Sequence, residues 1–228
     1  MSSSAAFPHR NLPRSPVAVP SRRTERSNEA RRGDDRELAL LKAARSALLD
    51  GTFERLSISD LAAAASLTRP TFYFYFASKD ALLATLVEQV LVEIQEGLEV
   101  ASHSDSDLSE RIREAVERVA AAWQRHGEIL CAAVELSTRL PQFADLWSTA
   151  VRASVEPFLS VIEAADATRD VDRLRRQARL LAWAQERNLY LLRKADGNAA
   201  AFAALTEDLI EMWGVALHPP SDSDTRSD

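Results

Sequence analysis

The sequence predicts an all-α protein: an N-terminal three-helix headpiece built as a helix-turn-helix, then a C-terminal helical body, about nine helices in all. Three observations predict it. Clear apolar/polar alternation, the mark of a half-buried strand, is absent along the chain. Glycines are few, and Gly33, Gly51, Gly127 and Gly197 fall where helical spacing starts or stops. Between Ser57 and Leu82 the sequence writes two short helices, each opened by a hydroxyl cap and separated by a tight turn.

Residues 1–33 come first. Arg10, Arg14, Arg22, Arg23, Arg26, Arg31 and Arg32 stand against Glu25 and Glu29, a local +5 in a chain whose total is −6, so the remainder carries −11. With Pro8, Pro13, Pro16, Pro20, many serines and no apolar periodicity, this stretch is expected to be a disordered basic arm. An acidic remainder repels nucleic acid, so any affinity for DNA must come from a local face helped by the arm. An inert solvated leader and a DNA-contacting arm both stay open; a transit peptide fits poorly beside the motif that follows.

The first helix is expected from Asp34-Asp35, acids suited to the positive end of a helix, with Leu38, Leu41, Ala44, Ala47 and Leu48 on one face. Asp50-Gly51 stops it, glycine supplying a left-handed C-terminal residue. Ser57 and Asp60 form a capping box for the second helix, whose Ile58, Leu61, Ala62 and Ala65 face inward. The turn is Ser66-Leu67. Thr68 then caps the third helix, Pro70 sits in its first turn, and Phe72 and Phe76 point to the core. Five consecutive aromatics, Phe72 to Phe76, cannot all face one core from a helix. Thr68, Arg69, Thr71, Tyr73 and Tyr75 are therefore expected outward, with the free N–H groups of the helix start beside them to receive phosphate. Arg69 is the candidate for reading guanine, and Lys79 a second phosphate anchor.

Gly51-Thr52-Phe53, the Ser57-to-Ala65 helix, Leu67-Thr68, Tyr73 through Lys79 and Leu82 together resemble the DNA-binding domain of the TetR family of transcriptional regulators. The resemblance implies phosphate and base contacts at Ser57, Thr68, Arg69, Thr71, Tyr73, Tyr75 and Lys79. Ser66 departs from the glycine common in that turn, and a serine at positive φ carries strain of about 1 kcal/mol. Gly33 to Ala39, with Arg69 to Phe76, looks more specifically like the actinobacterial ethionamide-resistance repressor branch, which also begins with a disordered basic arm.

Beyond the headpiece, a helix over 79–100 carries Leu82, Leu83, Leu86, Val90 and Ile94. His103, Asp105 and Asp107 could hold a metal, but a polar loop whose Asp107 caps the next helix is the better account. Further helices are expected over 107–126, 128–138, 141–167, 171–195 and 199–217, with Pro157 kinking or dividing the third of these. The chain thus divides into an arm (1–33), a headpiece (34–80), an effector-binding and dimerisation body (81–218) and a disordered Ser/Asp-rich tail (219–228).

Aromatics concentrate in the body. The stripe Leu174, Ala178, Leu181, Gln185, Asn188, Leu192 interrupts itself with two amides, each needing a partner if buried. An apolar cavity with a few polar groups is the usual form of a small-molecule site. The resemblance implies ligand-lining positions at Trp123, Trp147, Val151, Phe158, Ala182, Gln185, Tyr190 and Trp213, with Ile112 and Val119 standing where that relative has aromatics; Asn188 joins the candidates through the stripe. A solid core with a dimer interface stays open as the alternative. The long helices 171–195 and 199–217, with Leu174, Leu181, Leu189, Leu192, Phe202, Leu205, Leu209 and Trp213, suggest a two-fold four-helix interface, which the family uses for its dimer.

No glycine-rich phosphate loop, nucleophile elbow or metal-spaced histidine pair is present, so neither an enzyme nor a cofactor is expected. No apolar run is long enough for a membrane span, and the single Cys131 fits a reducing cytoplasm. The sequence therefore points to a dimeric repressor that binds a palindromic double-stranded DNA operator and is released by a hydrophobic small-molecule effector. An activator, an effector-independent regulator, or a helical small-molecule carrier or enzyme of the same scaffold without DNA binding are the alternatives.

Overall fold

The computed structural model describes residues 22–165 and 170–217, which form nine α-helices and no strand. They are α1 (Arg22–Leu49), α2 (Ile58–Ala64), α3 (Arg69–Tyr75), α4 (Lys79–Ser102), α5 (Leu108–Ser137), α6 (Pro141–Ala153), α7 (Glu156–Ala165), α8 (Val171–Lys194) and α9 (Ala199–Leu217). Among the described residues no helix is long and apolar enough to cross a membrane. Residues 1–21 of the arm and the tail from His218 lie outside the described residues.

The first helix corrects the expected arm. α1 runs back to Arg22, so 22–33 are helical rather than disordered. No proline falls between Arg22 and Leu49, and arginine, glutamate and alanine are good helix formers, so Gly33 is tolerated within the helix at a cost of about 1 kcal/mol. The buried face is Leu40, Leu41, Ala44 and Ala47, while the expected Leu38 is exposed. Gly51 takes φ 62° and ends the helix as expected.

Local caps set the short helices. Ser57 Oγ accepts from the Asp60 N–H while Asp60 bonds back to the Ser57 N–H, and Thr68 Oγ accepts from the Thr71 N–H at α3. Ser66 holds φ 58°, the strained turn expected where glycine is missing. α1, α2 and α3 pack together, and α1 also rests on α4 and α5.

α4 and α5 share the most extensive helix contact, with α6 to α9 packed around them. Contrary to the break expected near Gly127, α5 continues through it, losing helical geometry only at His126 (φ −122°, ψ 18°). Trp123, Ile129, Leu130, Ala133 and Val134 are all buried along it. At roughly 1.5–3 kcal/mol for each large side chain, that burial outweighs one glycine. The absent side chain is used: a Cβ at Gly127 would lie 2.3 Å from Arg193 Nε of α8. Pro157 divides α6 from α7, as expected, by sitting in the first turn of α7.

Candidate nucleic-acid interface and ligand cavity

The amino end of α3 stands free of the core. Phe72 is fully buried, and Thr68, Arg69 and Pro70 are exposed. The Arg69 guanidinium lies 5.6 Å from the Tyr73 ring centroid, and its Nη2 donates to Tyr73 Oη at 3.4 Å. Thr68 and Thr71 link their hydroxyls at 2.9 Å. One helix face thus presents a guanidinium, a phenol and a hydroxyl, the donors a phosphate or a guanine edge accepts.

Three expected contacts are placed differently. Tyr75 is half-buried and packed on the core, whereas Phe74, not singled out from sequence, is 82% exposed. At about 100° per residue, Phe74 falls opposite Phe72, while Tyr75 is only about 60° from it. Lys79 is corrected from phosphate anchor to internal clamp: Nζ donates to the carbonyls of Phe53 (2.7 Å), Glu54 (3.2 Å) and Leu56 (2.9 Å), and sits 4.7 Å from the Phe53 ring centroid. All its ammonium hydrogens are used. Ser57 is exposed, but its hydroxyl is engaged with Asp60, and that hydrogen bond lowers the Asp60 pKa.

A cavity of about 370 Å³ opens in the body between α4, α5, α6, α7, α8 and α9, a volume in the range of small-molecule sites. It brings together the expected Trp123, Trp147, Val151, Phe158, Ala182, Gln185 and Trp213, with Ile112 and Val119. Trp123 and Trp147 meet edge to face at 6.3 Å. Leu91, Ile94 and Leu98 of α4 complete the apolar wall.

The two buried polar side chains of the cavity sit on one turn of α8, with Glu88, Gln95, Thr149 and Ser154 also in the lining. Gln185 Oε1 accepts from Trp213 Nε1 at 2.6 Å, and Glu186 Oε1 accepts from Trp147 Nε1 at 3.3 Å. Glu186 Oε2 has no hydrogen-bond partner; the Arg187 Nε is 3.9 Å away. Burial pushes the Glu186 carboxyl above its usual range, opposed by Arg187 and by the Trp147 hydrogen bond. Sequence reasoning missed Glu186 because a glutamate reads as surface. Its register carried the signal: Leu174, Ala178, Ala182, Gln185, Glu186 and Leu189 are the buried residues of α8.

Asn188 and Tyr190 do not reach this cavity, correcting two expected ligand positions. Asn188 is exposed and donates to the Ala184 carbonyl one turn back at 2.7 Å. Tyr190 is half-buried on another side of α8, its hydroxyl donating to Glu135 Oε1 at 3.4 Å. Residues of α8 and α9, the helices expected at a subunit interface, divide by burial. Leu174, Leu189, Phe202, Leu209 and Trp213 are buried within the chain, whereas Leu180, Trp183, Leu191 and Val215 are exposed.

Headpiece and body meet at the α5 distortion. Arg45 of α1 donates to His126 Nδ1 at 2.9 Å, and His126 Nε2 is 3.0 Å from Glu93 Oε2 of α4. No local sequence signal marks His126 for a contact 81 residues away. Cys131 is buried, and burial with Glu128 nearby pushes its thiol up to about 11, leaving it protonated at neutral pH.

A sequence profile described as bacterial regulatory proteins, tetR family, matches residues 40–86, from the buried face of α1 into α4. The HTH-type transcriptional regulator EthR of Mycobacterium tuberculosis is 30% identical over 205 residues, covering 86% of this chain and 92% of that protein. The regulator of the same description in Mycolicibacterium smegmatis is 36% identical over 129 residues, 55% of this chain and 59% of that protein. A tetR-family transcriptional regulator from Streptomyces coelicolor superposes with a TM-score of 0.63 at 18% identity, covering 80% of this chain and 82% of that one. A TetR-like regulator from Rhodococcus sp. RHA1 does so at 0.57 and 23%, covering 78% and 94%. At those identities the two structures speak for the fold alone.

Proposed function

Because the chain belongs to the TetR family of bacterial regulatory proteins, we propose that it is a dimeric repressor, released from a palindromic operator by a hydrophobic small molecule. The observation that carries this is the free amino end of α3, with Arg69 held against Tyr73, joined by the single helix α4 to the wall of a 370 Å³ cavity. In this reading residues 34–80 form the DNA-binding headpiece and 81–218 the effector-binding and dimerisation body. Arg69 takes a guanine edge; Thr68, Thr71 and Tyr73 take phosphate; and exposed Phe74 offers an apolar contact for a thymine methyl. The dimer presents two copies of α3 to major grooves about 34 Å apart.

α4 supports the release step. It starts at the Ser78 cap under the headpiece and lines the cavity with Leu91, Ile94 and Leu98. An effector in the cavity bears on the same rigid rod that positions α3. It shifts the operator-bound state only by its difference in affinity for the two arrangements.

A gel-shift titration with DNA flanking the protein's own gene tests the reading. Wild-type protein should bind one site in preference to competitor DNA. Arg69→Ala should weaken that site by roughly 1–3 kcal/mol, about five- to 150-fold, with little loss on competitor. Equal loss on both would remove the base-reading role. No preferred site at all would favour a helical carrier over a regulator.

A further inference from the structure

Among the polar groups that line the cavity, Glu186 carries a buried oxygen without a hydrogen bond. Glu186 is 5% exposed, its Oε1 fixed by Trp147 Nε1 and its Oε2 without a hydrogen bond. Gln185 beside it is already committed to Trp213. The lining also holds Glu88, exposed at the side of α4, and includes no lysine, arginine or histidine. Arg187 approaches Oε2 only to 3.9 Å, and about half of its side chain is turned to solvent. A carboxyl oxygen held in apolar surroundings is unfavourable until a donor or a cation meets it.

The rest of the wall fixes the other half of the ligand. Trp123, Trp147, Phe158, Leu98 and Trp213 enclose the space with rings and branched carbons. A carboxylate ligand would bring a second negative charge toward Glu186 and Glu88 with no basic partner. A neutral hydrocarbon would leave Oε2 as it is. We propose that the cavity selects hydrophobic amines, the ligand's ammonium seated on Glu186 Oε2 and its hydrocarbon body along the tryptophan wall. This rests on the effector reading above and names the chemical class that reading lacks.

Matched probes test it: decylamine, decanol and decanoate, titrated calorimetrically into the full-length protein without DNA. Decylamine should bind roughly tenfold or more tighter than decanol, the gain expected of one charge-assisted hydrogen bond, with decanoate weakest. Glu186→Gln should bring the amine-to-alcohol ratio close to one and Glu186→Asp should restore part of it, with cooperative melting checked for both. Decanoate binding as well as the amine, a ratio unchanged in Glu186→Gln, a ratio abolished instead by Glu88→Gln, or no binding of any probe would each overturn the assignment. Adding operator DNA separates this from the effector reading. A Glu186-dependent preference with no release of operator keeps the amine site and ends the effector role. Release by all three probes alike does the reverse.

Discussion

Glu186 is a residue whose burial shows in the apo protein's own stability. Burial holds its carboxyl above the usual range, so the native chain keeps a proton that the unfolded chain gives up. Its contribution to stability therefore falls as pH rises from the ordinary carboxyl range through the raised value, and the cost is complete above it. Glu186→Gln keeps an acceptor for Trp147 and removes the charge. Its melting temperature should exceed wild type by a few degrees near pH 7.5, and the gain should vanish near pH 4, as followed by circular dichroism. A gain of equal size at both pH values would mean that packing, not ionisation, is responsible. Nothing local in the sequence marked this residue, because the same Gln185-Glu186-Arg187 run is solvated on most helices. Only the register set by Leu174, Ala178 and Ala182 turns it inward. Phe74 and Tyr75 teach the same lesson in reverse. That some of the aromatics face out was legible, but which ones depended on counting turns from Phe72, and Tyr75 lay too near the buried side.

At the scale of elements, ends were legible wherever a cap is local. Ser57, Thr68 and Asp107 each accept from an N–H three residues on, and such contacts need no tertiary partner. The boundary misplaced at Gly127 was decided by packing, where α8 lays Arg193 across the glycine. The start of α4 combines both kinds. Its cap is local, but Lys79 reaches back to the loop at Phe53, Glu54 and Leu56 and ties α4 to the α1–α2 connection. Lys79→Met should destabilise the fold by about 1–3 kcal/mol, the worth of hydrogen bonds to a charged group, and lower the melting midpoint by several degrees. The slope of log operator affinity against log salt should stay unchanged. A phosphate anchor would instead reduce that slope by about 0.9. Arg45, His126 and Glu93 make a second tie between headpiece and body, at the one non-helical point of α5. A shift of α1 against α4 has to break or rebuild it.

At the scale of the whole molecule, two copies of α3 must be held at a fixed separation if a palindrome is to be read. The buried apolar residues of α8 and α9 serve the chain's own core, so the surface left for a second copy is the opposite one. Leu180, Trp183 and Leu191 fall within about 80° around α8. With Val215 of α9 exposed as well, they leave large apolar side chains in water, as protein interfaces do. In a two-fold interface each residue occurs twice, so Leu180→Glu would put two carboxylates into an apolar contact near one axis, with Arg176 one turn back as the nearest basic side chain on that stripe. Sedimentation should find the variant monomeric at micromolar concentration, and operator affinity should fall by more than Arg69→Ala causes, since both half-sites are lost together. Leu49→Glu, at an equally exposed leucine on the headpiece, should leave the assembly intact. A Leu180→Glu protein that still sediments as a dimer would move the interface off α8. One that is monomeric yet binds the operator as tightly as wild type would remove the need for two copies.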